Sequence, residues 1–355
     1  MKFLNQFIFI ISIPLILLSC SGLAPNPASF DLVQVTITEL KDPQKNSIRG
    51  MSVVDSNTVW LSGVNETILR TVDQGKSWQK ITVPDIDSLD FRSIHAFSKR
   101  SAIVVSAGFP ARAYKTNDGG VSWSLVYENK DSTAFMNSIA FKNDREGIII
   151  GDQINGRHLI LRTGNGGVTW QRIDSVDIPR PLKIENCFAA SGTCITISKS
   201  GRFFIGLGGE EARIFSSING YKWKAKITPL VHGDPSSGIY SINACGTGKI
   251  MAVGGDYTQA DSNHYPIISM NDGKSWIKTK GMVNGYRSII TYSKKGDFWV
   301  AGGTNGLDMS TDNGVTWAKF SSQDITTLRF LPHTTKAIGA NSKGELFMFD
   351  FQFKN

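Results

Sequence analysis

A short polar stretch closed by tryptophan recurs along this chain and sharply limits what it can fold into. It reads STDNGVTW at Ser310–Trp317, TVDQGKSW at Thr71–Trp78, TNDGGVSW at Thr116–Trp123, TGNGGVTW at Thr163–Trp170 and SMNDGKSW at Ser269–Trp276. A shortened copy, SINGYKW, runs from Ser217 to Trp223. The closing residues Trp78, Trp123, Trp170, Trp223, Trp276 and Trp317 follow one another at 41 to 53 residues, the period of a repeat architecture. In each copy an Asp or Asn (Asp73, Asp118, Asn165, Asn219, Asn271, Asp312) can accept N–H groups of its own turn, and a Gly supplies positive φ. The indole then has enough area to pack between neighbouring units. Turn chemistry accounts for every residue of the motif without a ligand.

Between these turns each unit follows one template. In one unit an apolar strand, Arg92 to Phe97, is followed by a second, Ala102 to Gly108. A third runs into the Trp-closed turn from Ala113 to Gly120, and a fourth spans Trp123 to Tyr127. Four short strands per period predict the blade of a β-propeller. A seventh unit near the C-terminus offers only three strands, Thr326 to Phe330, Ala337 to Gly339 and Glu345 to Phe349. The alternating segment Asp31 to Leu40 would supply its fourth and close the ring, which removes exposed sheet edges. The expected fold is therefore all-β, a seven-bladed propeller of four-stranded blades. Six blades with the last segment as a cap is the alternative.

The first residues read as a targeting segment. Lys2 precedes an apolar run from Phe7 to Leu18, and Leu17-Leu18-Ser19-Cys20 follows the pattern of a lipoprotein signal. It is short for a spanning helix. The expected organisation is a signal peptide over 1–19, a tether over 20–30 and one propeller domain over 31–355. Cys20 would carry the lipid, so the expected location is the bacterial envelope. Ser21 after the cysteine resembles the sorting pattern for the outer membrane. Three cysteines remain, Cys187, Cys194 and Cys245. Cys187 and Cys194 could pair across a hairpin, but the odd count favours buried thiols.

Net charge is +8 and dispersed, with no Lys/Arg run. That favours an acidic partner or simple solubility over nucleic acid, and a monomer is expected. The five histidines show no ligand spacing, so no metal is expected. The glycines show no nucleotide-binding fingerprint in a strand-to-helix setting, so no cofactor is expected.

Aligning the start of the innermost strand across the blades gives Arg49, Arg92, Asn137, Glu185, Tyr240, Arg287 and Thr326. In a four-stranded blade these lie at the channel end opposite the Trp-closed turns, where the long loops gather. Three arginines at a concave mouth suit planar capture of a carboxylate or phosphate. Glycine-rich loops bring Arg213, Asp256 and Tyr257 to the same rim, and the crossover from Thr228 to Tyr240 adds His232. The expected ligand-binding set is Arg49, Arg92, Arg287, Glu185, Tyr240, Arg213, Asp256, Tyr257 and His232.

The Trp-closed turns resemble the Asp-box, or bacterial neuraminidase repeat. Over nearly the whole chain after the signal, the pattern is similar to the photosystem II stability and assembly factor family and its relatives in non-photosynthetic bacteria. The segments that carry the likeness are CFAASGTC (Cys187–Cys194), GRFFIGLGGEEARIFSS (Gly201–Ser217), TPLVHGDPSSGIYSI (Thr228–Ile242), AVGGDY (Ala252–Tyr257) and GYRS (Gly285–Ser288). The resemblance implies a seven-bladed propeller with an arginine patch, here Arg49, Arg92 and Arg287, and a non-enzymatic role in binding assembly intermediates. The expected function is a lipid-anchored binding propeller that engages an acidic ligand or an envelope protein.

A glycoside hydrolase is the competing class. Sialidases combine three arginines with a Tyr nucleophile, its Glu partner and an Asp acid. Tyr240, Glu185 and Asp256 supply those residue types, but the sialidase Arg-Ile-Pro signature is missing; Ile178-Pro179-Arg180-Pro181 is a loose echo. A hydrolase using paired carboxylates such as Glu210 or Glu211 with Asp256 is a further variant.

Overall fold

The computed structural model describes residues 32–41, 45–86 and 88–354. The signal, the tether and Cys20 lie outside these residues. Seven antiparallel sheets follow one another along the chain, each with a core of four strands. Blade one is typical, with Ile48–Val53 innermost, then Val59–Gly63, Ile68–Thr71 and Gln79–Ile81 outermost. The innermost strands of the others are Asp90–Ala96, Met136–Phe141, Ile195–Ile197, Ser237–Ala244, Ile289–Ser293 and Thr327–Phe330. Among the described residues helical structure is confined to two three-residue 3-10 turns, Ser175–Asp177 and Tyr257–Gln259.

The ring closes as the alternating N-terminal segment predicts. Leu32–Leu40 pairs antiparallel with Leu346–Phe353 and becomes the outermost strand of blade seven. On the channel side Thr326 Oγ1 donates to the Ile48 carbonyl at 2.8 Å and ties blade seven to blade one. Similar links join other neighbours. Ser52 accepts the Ala96 N–H at 2.9 Å, Ser93 that of Ile139 at 3.2 Å, and Ser241 that of Ile290 at 2.9 Å. Innermost strands of different blades share no sheet ladder, so these hydroxyls satisfy amides that would otherwise be orphaned.

Second strands are buried on both faces, as in Ala102–Ala107, because each blade is covered by one neighbour on either side. This explains their continuous apolar runs, where a half-exposed sheet would alternate. Clusters such as Trp60, Ile68, Ile81 and Phe91 with Val104 therefore fill the space between two blades. Cys187, Cys194 and Cys245 are buried free thiols.

The Trp-closed turns repeat one hydrogen-bond pattern. In blade one the Thr71 hydroxyl donates to Asp73 at 2.7 Å and accepts the Gly75 N–H at 2.8 Å. Asp73 also accepts the N–H and hydroxyl of Ser77 at 3.0 and 2.5 Å. The same bonds recur around Asp118 and Asp312. Where the motif has Asn, one bond reverses: Asn165 Nδ2 donates to Thr169 Oγ1 and Asn271 Nδ2 to Ser275 Oγ, each at 2.9 Å. The shortened copy keeps Ser217, Asn219 and Gly220 in an abbreviated turn. Gly167 shows why glycine is required: its φ is +78°, and a Cβ would lie 2.1 Å from Ile103 Cδ1 of the preceding blade.

Candidate binding site at the channel mouth

The innermost strands do not enter the ring as regular ladder. Pairing with the second strand slips between Ile48 and Gly50, Phe91 and Ser93, Met136 and Ser138, and Ile239 and Ser241. The bulged residues are Arg49, Arg92, Asn137 and Tyr240, four of the positions singled out by aligning the blades. A bulge leaves its residue outside the ladder and re-aims the side chain. Arg49 and Arg92 are thereby brought together at one end of the channel, each guanidinium within electrostatic reach of the other.

These two arginines differ in partners. Arg92 donates through Nε and Nη2 to Asp90 Oδ2, at 3.0 and 2.7 Å. Arg49 makes no ion pair within 4.0 Å and no hydrogen bond to a described residue, and its buried Nε has no acceptor. Burial and the adjacent Arg92 lower the Arg49 pKa, while Asp90, Tyr286 and Asp324 act in the opposite sense. It stays charged at neutral pH, so the mouth holds a half-buried cation with open donor positions.

Aromatic rings form the floor beside it. Tyr240 stacks on Phe188 with centroids 3.8 Å apart and planes at 6°, and meets Tyr286 edge-on at 4.7 Å. The Tyr240 hydroxyl donates to the Ser236 carbonyl at 2.6 Å. Burial, together with Tyr286, Tyr257 and Asp256, pushes its pKa well above the usual phenol range. Tyr257, close enough to act electrostatically on Tyr240 and Tyr286, is exposed. Asp256 is buried and caps the 3-10 turn Tyr257–Gln259, accepting the Thr258 N–H and hydroxyl at 2.9 and 2.7 Å. His232 lies on an exposed loop, 3.6 Å from Glu211 and bonded to the Glu210 carbonyl.

Three expectations need correction. Arg287 has the right register but does not present its guanidinium to the mouth. It is fully buried, and Nε and Nη2 both meet Asp308 Oδ2 at 2.7 and 2.6 Å. Nη1 donates to the Tyr286 carbonyl and Asn305 Oδ1, and Nη2 to the Asn284 carbonyl. Four donated hydrogen bonds and the ion pair to Asp308 occupy the guanidinium, so no three-arginine clamp is presented.

Glu185 does not begin the innermost strand of blade four, which is Ile195–Ile197. It lies upstream on a two-residue strand paired with Gly208–Gly209, which in turn meets Gly238 of blade five. There its carboxylate is fully buried, bonded to Arg213 Nε and Nη2 at 2.5 Å each and to His158 Nε2 at 3.0 Å. Burial raises its pKa, but the bonds from His158 and Arg213 outweigh burial and leave it below the usual value.

Arg213 is consequently a buried partner of Glu185 and not a rim residue; its Nη2 also bonds the Arg180 carbonyl at 2.9 Å. The hydrolase arrangement loses its pieces by the same geometry. The Tyr240 phenol is buried and its proton engaged, Glu185 is neutralised by Arg213, and Asp256 is a turn cap.

Phe188, Tyr286, Asp90 and Asp324 were missed by sequence reasoning. Asp90 and Tyr286 were within reach of it, since they lie two residues before Arg92 and one before Arg287. Phe188 carried no signal, because its place depends on how the long crossover into blade four folds back.

A closed ring of seven four-stranded sheets, stapled by Asp-box turns and carrying arginines and aromatics at one channel mouth, defines a propeller of the Asp-box class. The family model described as Photosynthesis system II assembly factor YCF48 matches residues 31–332, and the chain belongs to that family. Photosystem II assembly lipoprotein Ycf48 of Synechococcus sp. (strain CC9902) is 21% identical over 285 residues, 75% of this chain and 73% of that protein. Vacuolar protein sorting/targeting protein 10 of Colletotrichum graminicola is 30% identical over 123 residues, 34% of this chain but only 8% of that much longer protein.

A solved structure of YCF48 bound to a D1 peptide superposes with a TM-score of 0.64 at 19% identity, covering 91% of this chain and 100% of that one. YCF48 from Cyanidioschyzon merolae gives 0.62 at 17%, covering 88% and 98%. At these identities the likeness speaks for the fold.

Proposed function

We propose that this chain is a lipid-anchored, non-catalytic binding propeller whose mouth takes an acidic segment or terminal carboxylate of an envelope membrane protein. The observation that carries this reading is Arg49, a half-buried guanidinium without a bonded partner among the described residues, beside Arg92 and the Tyr240–Tyr286 floor. An arriving carboxylate would take the donors that no described residue occupies, and its neighbouring side chains would lie on aromatic faces. That a YCF48 structure contains a D1 peptide supports a peptide as the ligand class.

The fold also supports an orientation. Leu32 pairs with Phe353, the end of a third strand, and third strands run into the turns at the Asp-box end. A tether from a lipidated Cys20 would therefore join at that end, and the arginine mouth would face away from the anchoring membrane. Ser21 points to the outer membrane. A Cys20→Ala variant is expected to move from the membrane to the soluble fraction; retention at the membrane would remove the anchor from this reading.

The binding claim is tested by fluorescence anisotropy with an acidic peptide carrying a free C-terminus, in moderate salt. Arg49→Ala is expected to weaken binding by about tenfold or more, the effect of losing a charge-assisted bond. Unchanged affinity in both Arg49→Ala and Arg92→Ala would overturn it. The same variants assayed on sialosides are expected to show no hydrolysis to lose.

A further inference from the structure

The other half of the central channel has its own chemistry. Beyond the mouth the innermost strands of all seven blades line a cavity of about 540 Å³. It contains no Asp or Glu among its lining residues, but it does contain Arg329 and Lys142. Arg329, on the innermost strand of blade seven, donates Nη1 to the Leu328 carbonyl at 2.8 Å. That is its one hydrogen bond among the described residues, and no described carboxylate lies within 4.0 Å of it. Lys142 has one long contact, 3.9 Å to Glu146. His95 faces the same space, between Phe97 and Phe141, and burial lowers its pKa to about 4, so it is neutral at physiological pH.

Two hydroxyls on this wall are poised as donors. Ser52 and Thr196 each accept a backbone N–H from the next blade, Ala96 and Ala244 respectively. Each O–H proton has no acceptor among the described residues, so it is free to turn to a ligand. Asn243 adds an amide. The wall thus offers a guanidinium, hydroxyls and an amide, with no anion to answer them. A partly buried charge without a counterion is unfavourable, and a bound anion relieves it. Burial alone lowers Arg329, to about 10, which leaves it charged at neutral pH.

We propose that the Asp-box half of the channel is a binding site for a small oxyanion of the phosphate or carboxylate class, held by Arg329 with the hydroxyls of Ser52 and Thr196. The site is separate from the arginine mouth and does not depend on the function proposed for it.

The test is calorimetric melting of the mature protein in a chloride buffer of fixed ionic strength, titrated with inorganic phosphate in one series and acetate in another. A saturable rise in Tm is expected, of about 5 °C at roughly a hundredfold excess over Kd. A response to phosphate alone assigns a tetrahedral anion, and a response to acetate assigns a carboxylate. Arg329→Met is expected to lose the rise and to melt above the wild type in the anion-free buffer, because an unpaired, partly buried charge is gone. Arg329→Lys, which keeps the charge without the fork, is expected to bind about tenfold more weakly and serves if the Met variant does not fold. Arg49→Ala and Arg92→Ala should keep the full rise. The proposal is overturned if neither anion gives a saturable rise, if the rise survives in Arg329→Met, or if it disappears in the mouth variants instead.

Discussion

Arg49 and Arg287 hold matched positions in blades one and six, yet one has no bonded partner among the described residues and the other donates four hydrogen bonds and is ion-paired to Asp308. The difference lies in what surrounds them. Asp308, Asn305 and two carbonyls enclose Arg287, whereas Arg49 feels Arg92, Asp90, Tyr286 and Asp324 through their fields without bonding to them. Arg287→Ala would leave Asp308 buried without its cation, and a loss of about 3–5 kcal/mol is expected in urea unfolding. Arg49→Ala is expected to change stability by less than about 1 kcal/mol while weakening peptide binding by about tenfold or more. Equal destabilisation by the two would contradict their assigned roles. Asp152 gives a second residue-scale prediction. Burial pushes its carboxyl up to about 7, with Asn137 donating to it at 3.0 Å. A raised carboxyl is protonated in the folded protein while the unfolded chain ionises. Its contribution is therefore complete below pH 4 and declines as pH rises towards 7, by up to about 1.4 kcal/mol per unit. Asp152→Asn should flatten that decline in denaturation measured from pH 4 to 8.

At the scale of the element, the Asp-box turn is a hydrogen-bonded module that accepts either acid or amide. Asp73 is held down to about 2 by Ser77 and Thr71, and Asp118 and Asp312 are lowered by equivalent bonds. A depressed carboxylate stabilises the fold above its unfolded pKa and loses that effect as pH falls through the folded value. Acid sensitivity between about pH 4 and 2 is therefore expected from blades one, two and six, and not from blades three and five, where Asn165 and Asn271 do not titrate. Asp73→Asn should be nearly neutral at pH 7 and less acid-sensitive than wild type. A large loss at pH 7 would show that the reversed Ser/Thr bond of the Asn turns cannot form in blade one. The turn residues and their spacing were fully legible in sequence, because a hydrogen-bonded turn is local. The innermost strand of blade four was not. The long stretch after Arg180 inserts the Glu185–Asn186 ribbon before the strand, and Glu185 was aligned where a channel residue belongs.

At the scale of the whole molecule, the ring stands on one long-range pairing. Leu32–Leu40 covers the edge of Leu346–Phe353 and joins the two ends of the chain. Deleting residues 32–40 would expose that edge and part of the Phe320–Phe351–Phe353 cluster. Loss of a single cooperative melting transition and concentration-dependent aggregation in light scattering are expected. A truncated protein that melts as the parent does would mean that blade seven holds with three strands. Repeat period, blade number, closing strand and Asp-box chemistry follow from sequence, because turn propensity and strand patterning act over a few residues. Which charges face the channel and which are consumed inside the wall was decided by the tertiary structure. Arg49, Arg287, Glu185 and Arg213 look alike as charged residues near glycine-rich loops. Only packing determines whether a carboxylate lies within hydrogen-bond reach, and a side chain with an internal partner has nothing left to offer a ligand.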